Sequence, residues 1–129
     1  MASDAVFLLE EDDVGLTTIF AHGQYHEFTN WTAADGLEAA ANKWPAKEAI
    51  VFDDVSYTFA DWNAKANQVA RWAKSIGLKK GDVIAVMMEN KPECLFMWTG
   101  LAKIGAVAAL INNNLRGKPL MHCIKVCVF

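Results

Sequence analysis

The chain has 129 residues, a formal net charge of -3, and a composition that is 53% hydrophobic and only 21% charged. That length holds at most one domain of ordinary size, and so apolar a chain is suited to packing a core and not to disorder. The acidic balance gives no positive field for a polyphosphate backbone, so no nucleic acid partner is expected.

Residues 1–48 read as a weakly patterned lead-in. Met1 is followed by Ala2-Ser3-Asp4 instead of a basic segment, and the apolar run Val6 to Leu9 is too short for a secretory core. Glu10, Glu11, Asp12 and Asp13 form a solvated acidic stretch. His22 and His26 are four apart, but Gly23 weakens a helix there and no third ligand is near, so they read as surface histidines. Thr29 to Gly36 mixes turn formers with small residues. Leu37 to Lys43 makes a short helix, ended where Trp44 precedes Pro45 and is biased away from helical backbone.

The pattern sharpens from Ala49. Ala49 to Phe52 and Val55 to Thr58 are short strands joined by Asp53-Asp54, a hairpin. Thr58 opens a helix through a capping box with Asp61, and Trp62, Ala66, Val69, Ala73 and Ile76 lay one apolar stripe along it. Gly77 supplies the left-handed position after its last turn, and Leu78 folds back on that turn. Lys79 to Asp82 turns into Val83 to Met88, which is apolar on both faces and therefore expected in the middle of a covered sheet.

Asn90 is the expected cap of a second helix, with Pro92 in its first turn, running to about Ile104 and ended by Gly105. Ala106 to Ile111 is another two-faced strand, which completes a βαβ unit. After Asn112 to Asn114, a third helix is expected over Arg116 to Ile124, and residues 125–129 form an apolar tail.

Few of these residues carry chemistry. Cys94, Cys123 and Cys127 are odd in number and irregular in spacing, so they build no disulfide framework and point to a reducing compartment. Cys94 has no base or cation beside it in sequence to activate its thiol. His122, Cys123 and Cys127 are three soft donors without the fourth ligand and tighter spacing that zinc requires. Gly100 to Gly105 has the gap of a phosphate loop, but Ala106 and Val107 stand where Lys and Ser/Thr are needed; the glycines read as a close-packing site and a helix end.

No Gly-rich loop opens either helix after a strand, which weighs against a dinucleotide-binding domain. Cys94 to Ile111 imitates a membrane span, yet Lys103 falls in its middle, so a buried helix followed by a strand is the better reading. Trp62, Trp72 and Trp98 read as core or interface aromatics. Asn112 to Arg116 is the most suggestive polar run because it leaves the carboxyl end of a strand, where open α/β sheets bind ligands; a polar turn explains it more simply.

Tyr57-Thr58-Phe59, Asn67-Gln68-Val69-Ala70, Gly77 to Val83 and Met87 to Glu93 together resemble the N-terminal region of adenylate-forming acyl-CoA synthetases. Gly100 to Asn112, then Asn114-Leu115-Arg116-Gly117 and Leu120-Met121-His122-Cys123, are similar to the very-long-chain acyl-CoA synthetase and fatty acid transport protein branch. The resemblance implies an α/β fold: three layers, a mostly parallel sheet with flanking helices, the incomplete N-terminal part of an AMP-binding synthetase domain over residues 49–124, followed by a divergent tail at 125–129. It puts His122 and Cys123 within a helix.

It implies a parent activity in which a long-chain fatty acid is adenylated by ATP with Mg²⁺ and then transferred to coenzyme A. Such chemistry needs donors and cations fixed around phosphorus. No Thr-Ser-Gly-Thr-Thr-Gly run is found in these 129 residues. The chain is therefore expected to be a fragment that is inactive alone and binds none of these cofactors by itself, with no catalytic, cofactor-binding or metal residue assigned. The cysteine usage and the lack of a secretory pattern make an intracellular location the expectation, and the resemblance adds membrane association as a property of the family. The alternative is a non-catalytic module that pairs with a full-length synthetase, and self-association through exposed strand edges is a further expectation.

Overall fold

The computed structural model describes Val6–Phe7 and residues 32–127. The acidic stretch, His22 and His26 lie outside the described residues, as do the last two residues of the tail. In chain order the elements are β1 (Val6–Phe7), α1 (Ala33–Lys43), β2 (Glu48–Phe52), β3 (Val55–Thr58), α2 (Phe59–Ser75), β4 (Val83–Met87), α3 (Pro92–Lys103), β5 (Val107–Ile111) and α4 (Gly117–Cys127).

Helix α1 begins at Ala33, ahead of the expected Leu37, because Thr32 and Asp35 form a capping box. The Asp35 carboxylate accepts from the Thr32 backbone N–H at 2.6 Å, and the Thr32 hydroxyl accepts from the Asp35 N–H at 3.4 Å. The helix ends as expected, with Trp44 as its cap and the Trp44 N–H bonded to the Ala40 carbonyl at 2.7 Å.

The hairpin forms with the expected turn. Asp53 and Asp54 take φ of 47° and 61°, the left-handed pair whose twist matches that of the two flanking strands. A tight turn forces β2 and β3 antiparallel, and β1 joins the other side of β2, giving the order β1-β2-β3. Thr58 then caps α2 with Asp61, each side chain bonded to the other residue's backbone N–H. Along α2, Trp62, Ala66 and Ala73 are buried and Val69 is half-buried, but Ile76 is exposed: the stripe runs out in the last turn. Gly77 adopts φ of 87°, and the Leu78 N–H reaches back to the Ala73 carbonyl at 3.1 Å.

The α3 cap is Lys91, one residue beyond the expected Asn90. Pro92, whose fixed φ suits the first helical position, sets the start, and no side chain caps it. Helices α2 and α3 approach closely at Gly100, where a Cβ would stand 2.5 Å from Val69 Cβ and 2.7 Å from the Ala66 carbonyl oxygen. Beside that contact the Trp62 indole N–H donates to the Thr99 hydroxyl at 3.1 Å, which donates to the Leu95 carbonyl at 2.7 Å. Leu37, Ile50, Phe59, Trp62 and Phe96 close a core among α1, β2, α2 and α3.

Strands β4 and β5 pair in parallel, from Val83 opposite Val107 to Met87 opposite Ile111. The α3 crossover joins them as the expected βαβ unit. Ile84, Val86 and Ala108 pack with Ala73 and Leu101 of the helices, while α4 rests on both strands with Leu120, Cys123, Ile124 and Cys127 half-buried along one stripe. The α/β layering stands as expected, with the described strands divided into two small sheets. One expectation fails: β4 and β5 are not covered on both faces. Met87, Val107 and Leu110 are 40%, 52% and 58% exposed; among the described residues this sheet has two strands only, with no neighbouring strands to carry more covering helices.

Candidate functional site

In an open α/β sheet the carboxyl edge of the parallel strands is where ligands bind, since the loops leaving several strands converge there. Two loops leave that edge here, residues 88–91 after β4 and 112–116 after β5. In the first, Glu89 and Lys91 form an ion pair at 2.6 Å. The Lys91 hydrogen bond and charge hold the Glu89 carboxyl below its ordinary value, and Glu89 raises Lys91 in return. Both side chains are solvent-exposed, so the pair is screened and orders the loop only weakly.

The second loop is the polar run singled out in the sequence. The Asn112 side-chain oxygen accepts from the Asn114 N–H at 2.9 Å, and the Leu115 N–H donates to the Asn112 carbonyl at 3.2 Å. Arg116 turns its guanidinium onto the Asn113 and Leu115 carbonyls, at 2.6 and 2.7 Å. The Asn112 side-chain oxygen and the Arg116 Nη1 are thus engaged within their own turn. This is the simpler of the two readings, a polar turn held by its own hydrogen bonds.

The remaining candidates resolve in the same direction. Gly105 takes φ of 75° and ends α3, with its N–H on the Ala102 carbonyl at 3.0 Å; together with the tight contact at Gly100 this is a packing site and a helix end, not a phosphate loop. Cys94 is half-buried, and burial pushes its thiol up, away from the reactive thiolate. His122, Cys123 and Cys127 lie on α4, and among the described residues no group of three His, Cys, Asp or Glu side chains could hold a metal ion. Trp62 is core, whereas Trp72 is 46% exposed.

Among the described residues no helix is long and apolar enough to cross a membrane. Lys103, noticed in the sequence only as a charge interrupting an apolar run, has a side chain that is 6% exposed and pairs with Glu38 of α1. That pairing spans 65 positions, and nothing local announces it. The early start of α1 had a local signal, the Thr32-x-x-Asp35 spacing.

Comparison with known proteins follows the same lines. A family model described as AMP-binding enzyme matches residues 37–128. Long-chain fatty acid transport protein 6 of Mus musculus is 38% identical over 97 residues, covering 74% of this chain and 16% of that protein. Long-chain fatty acid transport protein 1 of Mus musculus is 42% identical over 90 residues, covering 68% of this chain and 14% of that protein. The chain thus spans 14% to 16% of the length of these curated relatives. Among solved structures, a Mycobacterium tuberculosis fatty acyl CoA synthetase aligns at a TM-score of 0.65 with 32% identity, over 70% of this chain and 18% of that one. The N-terminal subdomain of Klebsiella oxytoca NpsA aligns at 0.70 with 24% identity, over 74% of this chain and 25% of that one, a likeness of fold alone.

Proposed function

The chain belongs to the AMP-binding enzyme family, and from that premise we propose that residues 49–124 are scaffold from the N-terminal domain of an ATP-dependent long-chain or very-long-chain fatty acid–CoA ligase. In that parent reaction ATP, Mg²⁺ and coenzyme A act on a long-chain fatty acid by way of an acyl-adenylate. The observation that carries the reading is the βαβ unit, in a chain 38% identical over 97 residues to a long-chain fatty acid transport protein. Adenylation needs preorganised donors around the α-phosphate. The Asn112 side-chain oxygen and the Arg116 Nη1 are engaged within their own turn, and burial pushes the Cys94 thiol up.

The 129 residues therefore act as support for a reaction site built by other parts of such an enzyme, and alone they do not adenylate. Membrane association is carried over from the family resemblance, and an intracellular location from the cysteine usage.

Two measurements test this. The purified chain should show no palmitate-dependent pyrophosphate exchange with ATP and Mg²⁺; exchange above background defeats the claim of inactivity. A chimera of the Mycobacterium tuberculosis fatty acyl CoA synthetase carrying residues 37–128 in place of its matching segment should keep its exchange activity. A folded but inactive chimera would defeat the claim of scaffold equivalence. A second reading, a module that pairs with a full-length synthetase, is favoured by the exposure of Met87, Val107 and Leu110 on open strands. Co-purification with that synthetase tests it, and monomeric material that never co-elutes removes it.

A further inference from the structure

At the edge of the parallel pair opposite the loops described above, a cleft of about 410 Å³ opens between the start of α1 and the end of α3. Thr32, Asp35, Glu38, Lys80, Lys103 and Gly105 contribute to its walls. Its four charges are unequally committed. Asp35 spends its carboxylate on the backbone N–H and the hydroxyl of Thr32, at 2.6 and 2.8 Å. Glu38 accepts from the Lys103 ammonium.

Lysine carries three N–H donors and no acceptor, so Glu38 uses only part of the capacity of Lys103. The Lys103 side chain is 6% exposed and lines the cleft, so the donors that Glu38 leaves unused are available to an acceptor there. The Lys80 stem passes over Gly105, where a Cβ would lie 2.8 Å from Lys80 Cγ, and Lys80 lines the cleft with it. No carboxylate pairs with the Lys80 ammonium among the described residues.

Both acids are thus engaged while both bases keep free donors. From that imbalance we infer that the cleft binds a small oxyanion of the carboxylate or phosphate class, held between Lys103 and Lys80. Charge-assisted bonds from two ammonium groups are what such an anion seeks. Glu38, whose side chain is 53% exposed, is its competitor for Lys103 and turns toward water when the anion enters. This binding is separate from adenylation and holds whether or not the chain supports that chemistry.

The full chain is titrated with inorganic phosphate and, separately, with acetate, following the amide resonances of Ala102 to Gly105. Saturable shifts are expected with at least one of the two, and the one that binds assigns the class. Lys80→Ala and Lys103→Met should each weaken binding at least tenfold, whereas Glu38→Gln should tighten it by releasing Lys103. Lys65→Ala, on the exposed side of α2, should leave it unchanged. Absence of a saturable response to either anion overturns the inference, as does wild-type binding by Lys80→Ala or weakened binding by Glu38→Gln. Should Lys103→Met lose its circular dichroism signal, the exposed Lys80 still decides the matter.

Discussion

At Gly100 two helices meet with no room for a single methyl group. A Cβ there would collide with Val69 and with the Ala66 carbonyl, and the carbonyl belongs to helix backbone that cannot swing aside. Gly100→Ala should therefore destabilise the chain by about 1–3 kcal/mol, the usual cost of overpacking, read as a lower urea midpoint with an unchanged slope. Thr99 next to it is the one buried polar residue among the described ones, and it takes the Trp62 indole N–H. Thr99→Val keeps the shape and removes that acceptor, for an expected loss of about 1–3 kcal/mol, while Thr99→Ser should restore most of it. These two neighbours differ in how far the sequence announced them. Gly100 was legible because glycine inside an apolar helix suggests close approach; Thr99 was not, since its partner is 37 positions away.

Local rules settled the elements wherever the controlling residues are adjacent in sequence. The Thr58–Asp61 box, the Gly77 exit and the two-residue hairpin were all legible for that reason. The α3 start was misplaced because Asn90 is a good cap by type, while the rigid ring of Pro92 put the cap at Lys91. The Thr58 box also makes a pH prediction. Its hydrogen bonds, backbone first and then hydroxyl, hold the Asp61 carboxyl below its ordinary value of 3.8. A lowered folded-state value means that the stabilisation is complete above the unfolded value and is lost as pH falls through the folded one. Acid titrations of stability should show this loss below about pH 4, and Asp61→Asn should abolish that part of the slope. Thr58→Ala should cost about 1 kcal/mol at neutral pH, measured by thermal or urea unfolding.

For the molecule as a whole, the sequence disclosed the order of layers but not how much of the sheet would be covered. Strands apolar on both faces, such as Val83 to Met87 and Val107 to Ile111, imply burial only if other elements exist to cover them, and periodicity does not count neighbours. Among the described residues β4 and β5 pair only with each other, leaving an edge of each without a neighbouring strand, and neither strand carries a charge or a proline to blunt that edge. Met87, Val107 and Leu110 add exposed apolar side chains to those unpaired backbone groups. The combination favours strand addition between copies at high protein concentration. Light scattering on the purified chain should show mass rising with concentration, and Leu110→Lys, which places a charge on an already exposed position of β5, should suppress that rise without lowering the unfolding midpoint. A chain that stays monomeric across the whole range, or a Leu110→Lys variant that associates as readily as the parent, would show that these edges are closed by some means other than strand pairing.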